Sequence, residues 1–557
     1  MHPPTSSGVS RDRQCCPVKS VEPENLDYSA ITVDGAPRIY GVVSGLGFAQ
    51  SATRNCPMSA SITEISRATA SEAKKGRRSE EPKLARSLGN RHIQMIAIGG
   101  AIGTGLFMGS GKTISLAGPA VLFVYMIIGF MLFFVMRAMG EILLSNLEYK
   151  SFGDFAGDIL GPWAGFFTSW SYWFYWVVVG VADVVAITGY VQWFNKDIWL
   201  WLPAVVTPIL LLVLNLPTVK AFGELEFWFA IIKVVAILAL IGTGAYMIIT
   251  KFTSPNGSEA SLANIWNDGG MFPHGAFGFI LGFQIAIFAF GGIELVGTTA
   301  AETKDPKKVM PRAINSIPIR VMLFYVGALA VIMAVNPWRT INAGESPFVN
   351  MFLLAGLGGA AIIVNLVVLT SAASSANSGI YSTSRMIYGL AKDGNAPSKF
   401  AKLSKRKVPQ NALMFSCVWM TLALVMLYAG DSVMGAFVVV TSLGSVIIIS
   451  TWSMIMYTYL VYRRRRPHLH EASKFKMPGS TYMPYVVLVF FALMVVALAM
   501  DAETRLGLYV APIWFVLLGV AWRRNSKTPM QQARIAEWKA MADAEKAALT
   551  ETAAASR

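Results

Sequence analysis

Unbroken apolar runs of about 20 residues recur along the chain from position 94 to position 522. Each is long enough to cross a hydrocarbon layer of roughly 30 Å as an α-helix, the element that satisfies its own backbone hydrogen bonds in lipid. The runs do not alternate polar and apolar residues as the strands of a transmembrane barrel would. Only 14% of the 557 residues are charged and 54% are hydrophobic, whereas a soluble domain carries about 25% charged residues. These features define an all-α polytopic membrane protein of about twelve transmembrane helices. The spans are expected at roughly 94–114, 119–144, 162–193, 199–217, 226–250, 277–300, 316–336, 350–380, 410–429, 434–462, 483–500 and 506–523.

The formal net charge of +15 is concentrated between spans. Loops after even-numbered spans hold Lys304, Lys307, Lys308, Arg312, Lys402, Lys405, Arg406, Lys407 and the run Arg463 to Arg466. The opposite loops hold Lys112, Lys196, Lys251, Arg339 and Arg505. Because Lys and Arg accumulate on the cytoplasmic side, this asymmetry places both termini in the cytoplasm. The positive charge therefore orients the chain in membrane lipid, and no nucleic-acid partner is expected.

Three segments follow. Residues 1–82 are polar, mixed in Ser, Arg and Glu, and lack the long apolar stretch of a signal peptide, so they read as a disordered cytoplasmic tail, with Met58 as an alternative start. Residues 83–524 form the domain of twelve transmembrane helices, and 525–557 a cytoplasmic tail whose Ala/Glu/Lys-rich part, from Gln531 on, is expected to be helical. Cys15, Cys16 and Cys56 lie in the first tail and Cys417 alone in span 9, which offers no disulfide or metal framework. No span carries a His-Glu-x-x-His or nucleophile-elbow pattern, so no catalytic residue, metal or cofactor is expected, and an enzyme is disfavoured. The run Gly109-Ser110-Gly111-Lys112-Thr113 looks like the end of a phosphate-binding loop, but Leu106 stands where that motif needs glycine and no strand precedes it.

Two glycine clusters are more informative. Span 1 reads Ile98-Gly99-Gly100-Ala101-Ile102-Gly103-Thr104-Gly105, and span 6 reads Phe290-Gly291-Gly292-Ile293-Glu294-Leu295-Val296-Gly297. They coincide at an offset of 192 residues, five spans apart, the pattern expected of a five-plus-five inverted repeat with broken helices 1 and 6. Clustered glycines weaken a helix by about 1 kcal/mol each relative to Ala. Such a break frees N–H groups for a carboxylate and carbonyls for an ammonium, so an amino-acid zwitterion satisfies both. Ionisable side chains at membrane depth are costly and mark function. Lys233 in span 5, Asp183 in span 3 and Glu294 in the span 6 break are therefore candidates for handling a proton.

The stretches Asn90 to Gln94, Ile98 to Pro119, Arg137 to Glu141, Glu294 to Pro306, Thr370 to Ser384 and Leu460 to His470 resemble the amino acid permeases of the amino acid/polyamine/organocation superfamily. The resemblance covers roughly 83–524, with the branch that carries D-serine, D-alanine and glycine nearest. It implies a bacterial inner-membrane protein that takes up a small neutral amino acid together with a proton by alternating access. D-alanine, D-serine and glycine are the implied substrates, with D-cycloserine by the same route. Exchange, or transport of GABA or an aromatic amino acid, is the alternative. It further implies that Gly103, Thr104 and Gly105 hold the α-carboxylate. Carbonyls at Ile98 and along Phe288, Ala289 and Phe290 would hold the ammonium, with Phe288 as a gate over the side-chain pocket. Lys233 matches the family's span 5 lysine. The small polar face Ser371 to Ser378 of span 8 is expected to serve mostly in helix packing.

Overall fold

The computed structural model describes residues 31–33, 36–38 and 102–555, apart from 150, 218, 256 and 299–304. The chain divides into two units, residues 1–81 and 82–557. In the first, Ile31–Val33 pairs antiparallel with Ala36–Arg38, a short hairpin within the segment expected to be disordered. The remainder of that segment, Met58 included, lies outside the described residues, as do Ile98, Gly99 and Gly100.

The second unit is helical. Among the described residues, ten helices are long and apolar enough to cross a membrane. The first, Gly109–Ser145, joins the end of span 1 to span 2 through a turn at Gly118, whose φ of +60° suits glycine, followed by Pro119. Several boundaries differ from expectation. Span 5, expected from 226, starts at Val219. Span 4 is a shorter apolar helix, Trp201–Asn215, with Pro208 inside it. Span 8 starts later and runs further than 350–380: Pro347–Leu354 is a separate helix, Gly356 turns the chain at φ +77°, and Gly358–Lys392 follows.

Span 3 (Pro162–Phe194) is the most enclosed helix, 83% buried across its apolar window, and span 12 (Ala502–Asn525) the least, at 22%. Span 3 packs along spans 8 and 10 (Val433–Arg465), which makes it the central post. The outer faces carry exposed apolar side chains such as Val235, Ile249, Ile319 and Val516, which water would penalise and lipid accommodates.

Span 6 is segmented. Gly275–Leu281 and Phe283–Ala286 lead into a tight turn Phe288–Phe290, the backbone opens at Gly291 and Gly292, and helix resumes at Leu295. Beside it, span 7 (Ile317–Val335) widens into a π-helical stretch, Val321–Gly327, a distortion that recurs near functional sites.

The expected C-terminal helix spans Pro529–Ala555 and is docked. Arg466, at the end of span 10, pairs with Asp158 at 2.6 Å and with Glu545 of that helix at 2.8 Å, while Arg465 reaches Glu545 at 2.9 Å. Trp538 Nε1 donates to the Asp158 carbonyl at 2.9 Å, and Arg534 pairs with Asp393 in the loop after span 8 at 3.2 Å. Burial disfavours the Arg466 charge, but the carboxylates, with the Tyr149 hydroxyl, hold the guanidinium above its ordinary range.

Candidate functional site

The two breaks meet back to back. In span 1, Gly103 is extended and helix starts at Thr104, so the Thr104 and Gly105 N–H groups lack intrahelical acceptors, while those of Leu106 and Phe107 donate to the Gly103 carbonyl at 3.2 Å. A Cβ placed on Gly105 would lie 2.5 Å from Ala289 Cα and 2.9 Å from Ala289 N. Only glycine permits that approach, which sets the backbone of span 1 against that of span 6. Gly103 is less confined: a Cβ there would meet only the Ser375 hydroxyl, at 3.3 Å.

The span 6 break is held open by its own acid. Gly292 takes φ +97°, and its N–H donates to both Glu294 oxygens at 3.2 Å, while Tyr172 of span 3 donates to Glu294 Oε1 at 3.0 Å. Glu294, fully buried, brackets the unwound segment. Gly291 lies so close to Tyr175 that a Cβ would overlap its hydroxyl. The Ala289 carbonyl accepts from Tyr325 Oη of the π-helical stretch at 3.1 Å. The Phe288 carbonyl accepts from Gly291 N at 3.0 Å and that of Phe290 from Ile293 N at 3.3 Å. Each oxygen keeps a second lone pair for a ligand. Phe290 stacks on Tyr325 with centroids 4.8 Å apart, and Phe288 is buried edge-on to Phe437 and pressed against Gly444.

Three further ionisable side chains gather on the other side of Thr104. Its hydroxyl donates to Asp183 Oδ1 at 2.7 Å, across the core from span 3. Asp183 is fully buried and its Oδ2 has no hydrogen-bond partner. Lys233, also buried, lies within electrostatic reach of Asp183 and of Glu226. Because span 5 begins at Val219, Lys233 stands four turns into its helix, deeper than a snorkelling position.

Glu226 is the residue that sequence reasoning missed. It is fully buried, Ser374 Oγ donates to its Oε1 at 2.6 Å, and its Oε2 is unpartnered. Asn377 and Ser378 face it, and Asn377 accepts from Asn215 of span 4 at 2.6 Å. Asn215 in turn lines a small cleft of about 10 Å³ with Ser384 and Arg385. Ser371 donates to the Ile102 carbonyl at 3.2 Å. The span 8 serines thus do more than pack: Ser371 and Ser375 border the span 1 break, and Ser374 holds Glu226.

The structure therefore brings together Gly103, Thr104, Gly105, Phe288, Ala289 and Phe290 at the breaks. It groups Asp183 and Lys233 with Glu226, and leaves Glu294 as the bracket of the second break. No cluster of metal-ligating side chains occurs among the described residues.

A polytopic helical bundle with two opposed unwound segments and buried charges beside them is the build of a membrane transporter. The amino acid permease family matches residues 92–535, and this chain belongs to that family. It is 62% identical over 442 residues to the D-serine/D-alanine/glycine transporter of Escherichia coli strain K12, covering 79% of this chain and 94% of that protein. The amino-acid permease AapA of Bacillus subtilis is 51% identical over 448 residues, 80% of this chain and 96% of the relative. The aromatic amino acid transport protein AroP of Escherichia coli O6:H1 is 39% identical over 446 residues, 80% and 97% respectively.

Proposed function

We propose that this amino acid permease carries small neutral amino acids, glycine, D-alanine and D-serine, into the cytoplasm together with a proton. The carrying observation is the contact of the two breaks at Gly105 and Ala289, beside a buried acid–lysine–acid group. The N–H groups around Gly103, Thr104 and Gly105 receive the α-carboxylate. The spare lone pairs of the Phe288, Ala289 and Phe290 carbonyls receive the α-ammonium, and the family resemblance assigns the Ile98 carbonyl to the same task. With both ends of the zwitterion gripped by backbone, discrimination falls to the space around Cα. A small pocket under Phe288 that admits a hydrogen or a short side chain in either configuration and rejects branched or aromatic groups by clash is the reading that follows. The 62% identical relative, named for these three amino acids, supports the same reading.

Lys233 supplies a fixed site that gains and loses a proton where a sodium-coupled carrier would place its cation, with Asp183 and Glu226 as exchange partners. The Lys/Arg-rich loops orient both termini to the cytoplasm of a bacterial inner membrane.

The test is uptake of labelled glycine, D-alanine, D-serine, GABA and phenylalanine in a strain lacking its own permeases, with and without a protonophore and with Na⁺ replaced by K⁺. Uptake of the first three, abolished by protonophore and indifferent to Na⁺, is expected. Transport of GABA or phenylalanine instead would move the chain to another branch of the family. Protonophore-insensitive counterflow as the only activity would make it an exchanger.

A further inference from the structure

We propose that a proton on Asp183 switches the Thr104 hydroxyl from hydrogen-bond acceptor to donor toward the substrate carboxylate, so that proton and amino acid bind together. This rests on the reading that the span 1 break receives the carboxylate of a proton-coupled substrate.

A hydroxyl has one hydrogen to give. In the structure Thr104 gives it to Asp183 Oδ1, at 2.7 Å. The face of Thr104 turned to the break then presents only lone pairs, with a carboxylate behind them. An arriving carboxylate meets repulsion from both, undiminished by water because Thr104 and Asp183 are buried. Protonation of Asp183 reverses each element. The acid becomes neutral and gains an O–H that donates to Thr104 Oγ1. The Thr104 hydrogen is freed, and rotation about its C–O bond aims it at the substrate. No covalent bond is made or broken in the substrate. One proton enters Asp183 with the amino acid and leaves with it.

The surroundings favour such a switch over a static bond. Asp183 Oδ2, buried and with no hydrogen-bond partner, is open to a proton, and a half-turn of the carboxyl about Cβ–Cγ then brings that O–H to Thr104 Oγ1. The groups facing the carboxyl are Ser375 from span 8 and Lys233 from span 5, with Tyr175 and Tyr190 from its own helix. Lys233, itself beside Glu226, is the one cation among them and opposes protonation of Asp183 while it is charged. Ser375 also borders Gly103, so the acid faces residues on both sides of the break's first turn.

The experiment measures binding of labelled glycine to the purified full-length protein in lipid nanodiscs from acidic to mildly alkaline pH. In the wild type, affinity is expected to fall by up to about tenfold per pH unit once Asp183 ionises. Asp183→Asn, permanently neutral and able to donate to Thr104, should bind glycine with no pH slope, within about threefold of the wild-type acidic affinity. It should also fail to concentrate glycine against a gradient. Thr104→Val should bind weakly at every pH, whereas Thr104→Ser should keep the slope. A wild-type slope persisting in Asp183→Asn, or wild-type acidic affinity in Thr104→Val, would overturn the switch while leaving proton-coupled uptake by the wild type standing. Loss of all binding in Asp183→Asn, with monodisperse protein, would overturn it too. A wild type whose glycine uptake ignores the proton gradient, or which binds no glycine, would overturn the proposed function and the switch with it.

Discussion

Gly105→Ala is the smallest change that reaches the junction of the two breaks. The added Cβ would stand 2.5 Å from Ala289 Cα and 3.0 Å from Ala289 Cβ, where carbon atoms settle at about 3.5–4.0 Å. The deficit is about 1 Å. The obstructing atoms are backbone, so no side-chain rotation relieves it and spans 1 and 6 must part. Overpacking of this kind costs about 1–3 kcal/mol, equivalent to roughly 5- to 150-fold in an equilibrium. Gly103→Ala is the internal control, since its Cβ would meet only a rotatable hydroxyl 3.3 Å away and its extended backbone suits any residue. Labelled D-alanine binding to both purified variants, with size-exclusion profiles to verify folding, is expected to show affinity lost about 5- to 150-fold for Gly105→Ala and within about threefold for Gly103→Ala. Equal affinities, or the reverse order, would refute the claim that the breaks are built on backbone contact at this point.

Three further outcomes follow from the same geometry. Lys233→Ala should abolish accumulation, and Lys233→Arg should restore charge without normal pH dependence, because a guanidinium does not release its proton; accumulation assays in proteoliposomes with an imposed pH gradient would show it. Glu226→Gln keeps an acceptor for Ser374 but cannot ionise, so gradient-driven uptake should fall about tenfold or more while counterflow stays within about threefold, a split visible in one vesicle preparation. Arg466→Ala removes the cation that Asp158 and Glu545 share, leaving Glu545 to Arg465 alone, and loss of such a hydrogen-bonded charge should cost about 1–3 kcal/mol, read as a lower melting temperature and faster proteolytic clipping before Pro529.

The architecture was legible because lipid imposes a simple rule, a long apolar run for every crossing, and few sequences break it by accident. Asp183 and Lys233 stood out for the same reason, as charges amid Val, Ile and Ala. Glu226 did not, because the run Gly223-Glu224-Leu225-Glu226 reads as the polar margin of a helix that the structure starts earlier, at Val219. The available signal was its position seven residues before Lys233, two helical turns along the same face. The Thr104–Asp183 bond joins residues 79 apart in sequence, and a single chain carries no mark of such pairings. Span 8 was misplaced because Gly356 interrupts an otherwise continuous apolar stretch, and hydropathy is blind to a positive φ. Its serines were assigned to packing because small residues are ambiguous until their face is known.

The docked C-terminal helix bears on how the molecule is assembled. Its ion pairs reach back to Asp393, after span 8, and to Arg465 and Arg466, at the end of span 10, while its Trp538 donates to the carbonyl of Asp158, before span 3. Glu545 lies beyond residue 535, where the family match ends. This segment follows in the chain every span it grips, so those spans are made before it. Its docking therefore reports that the preceding spans have inserted in register, and a chain that stops short or threads a span wrongly presents those arginines and aspartates unmatched.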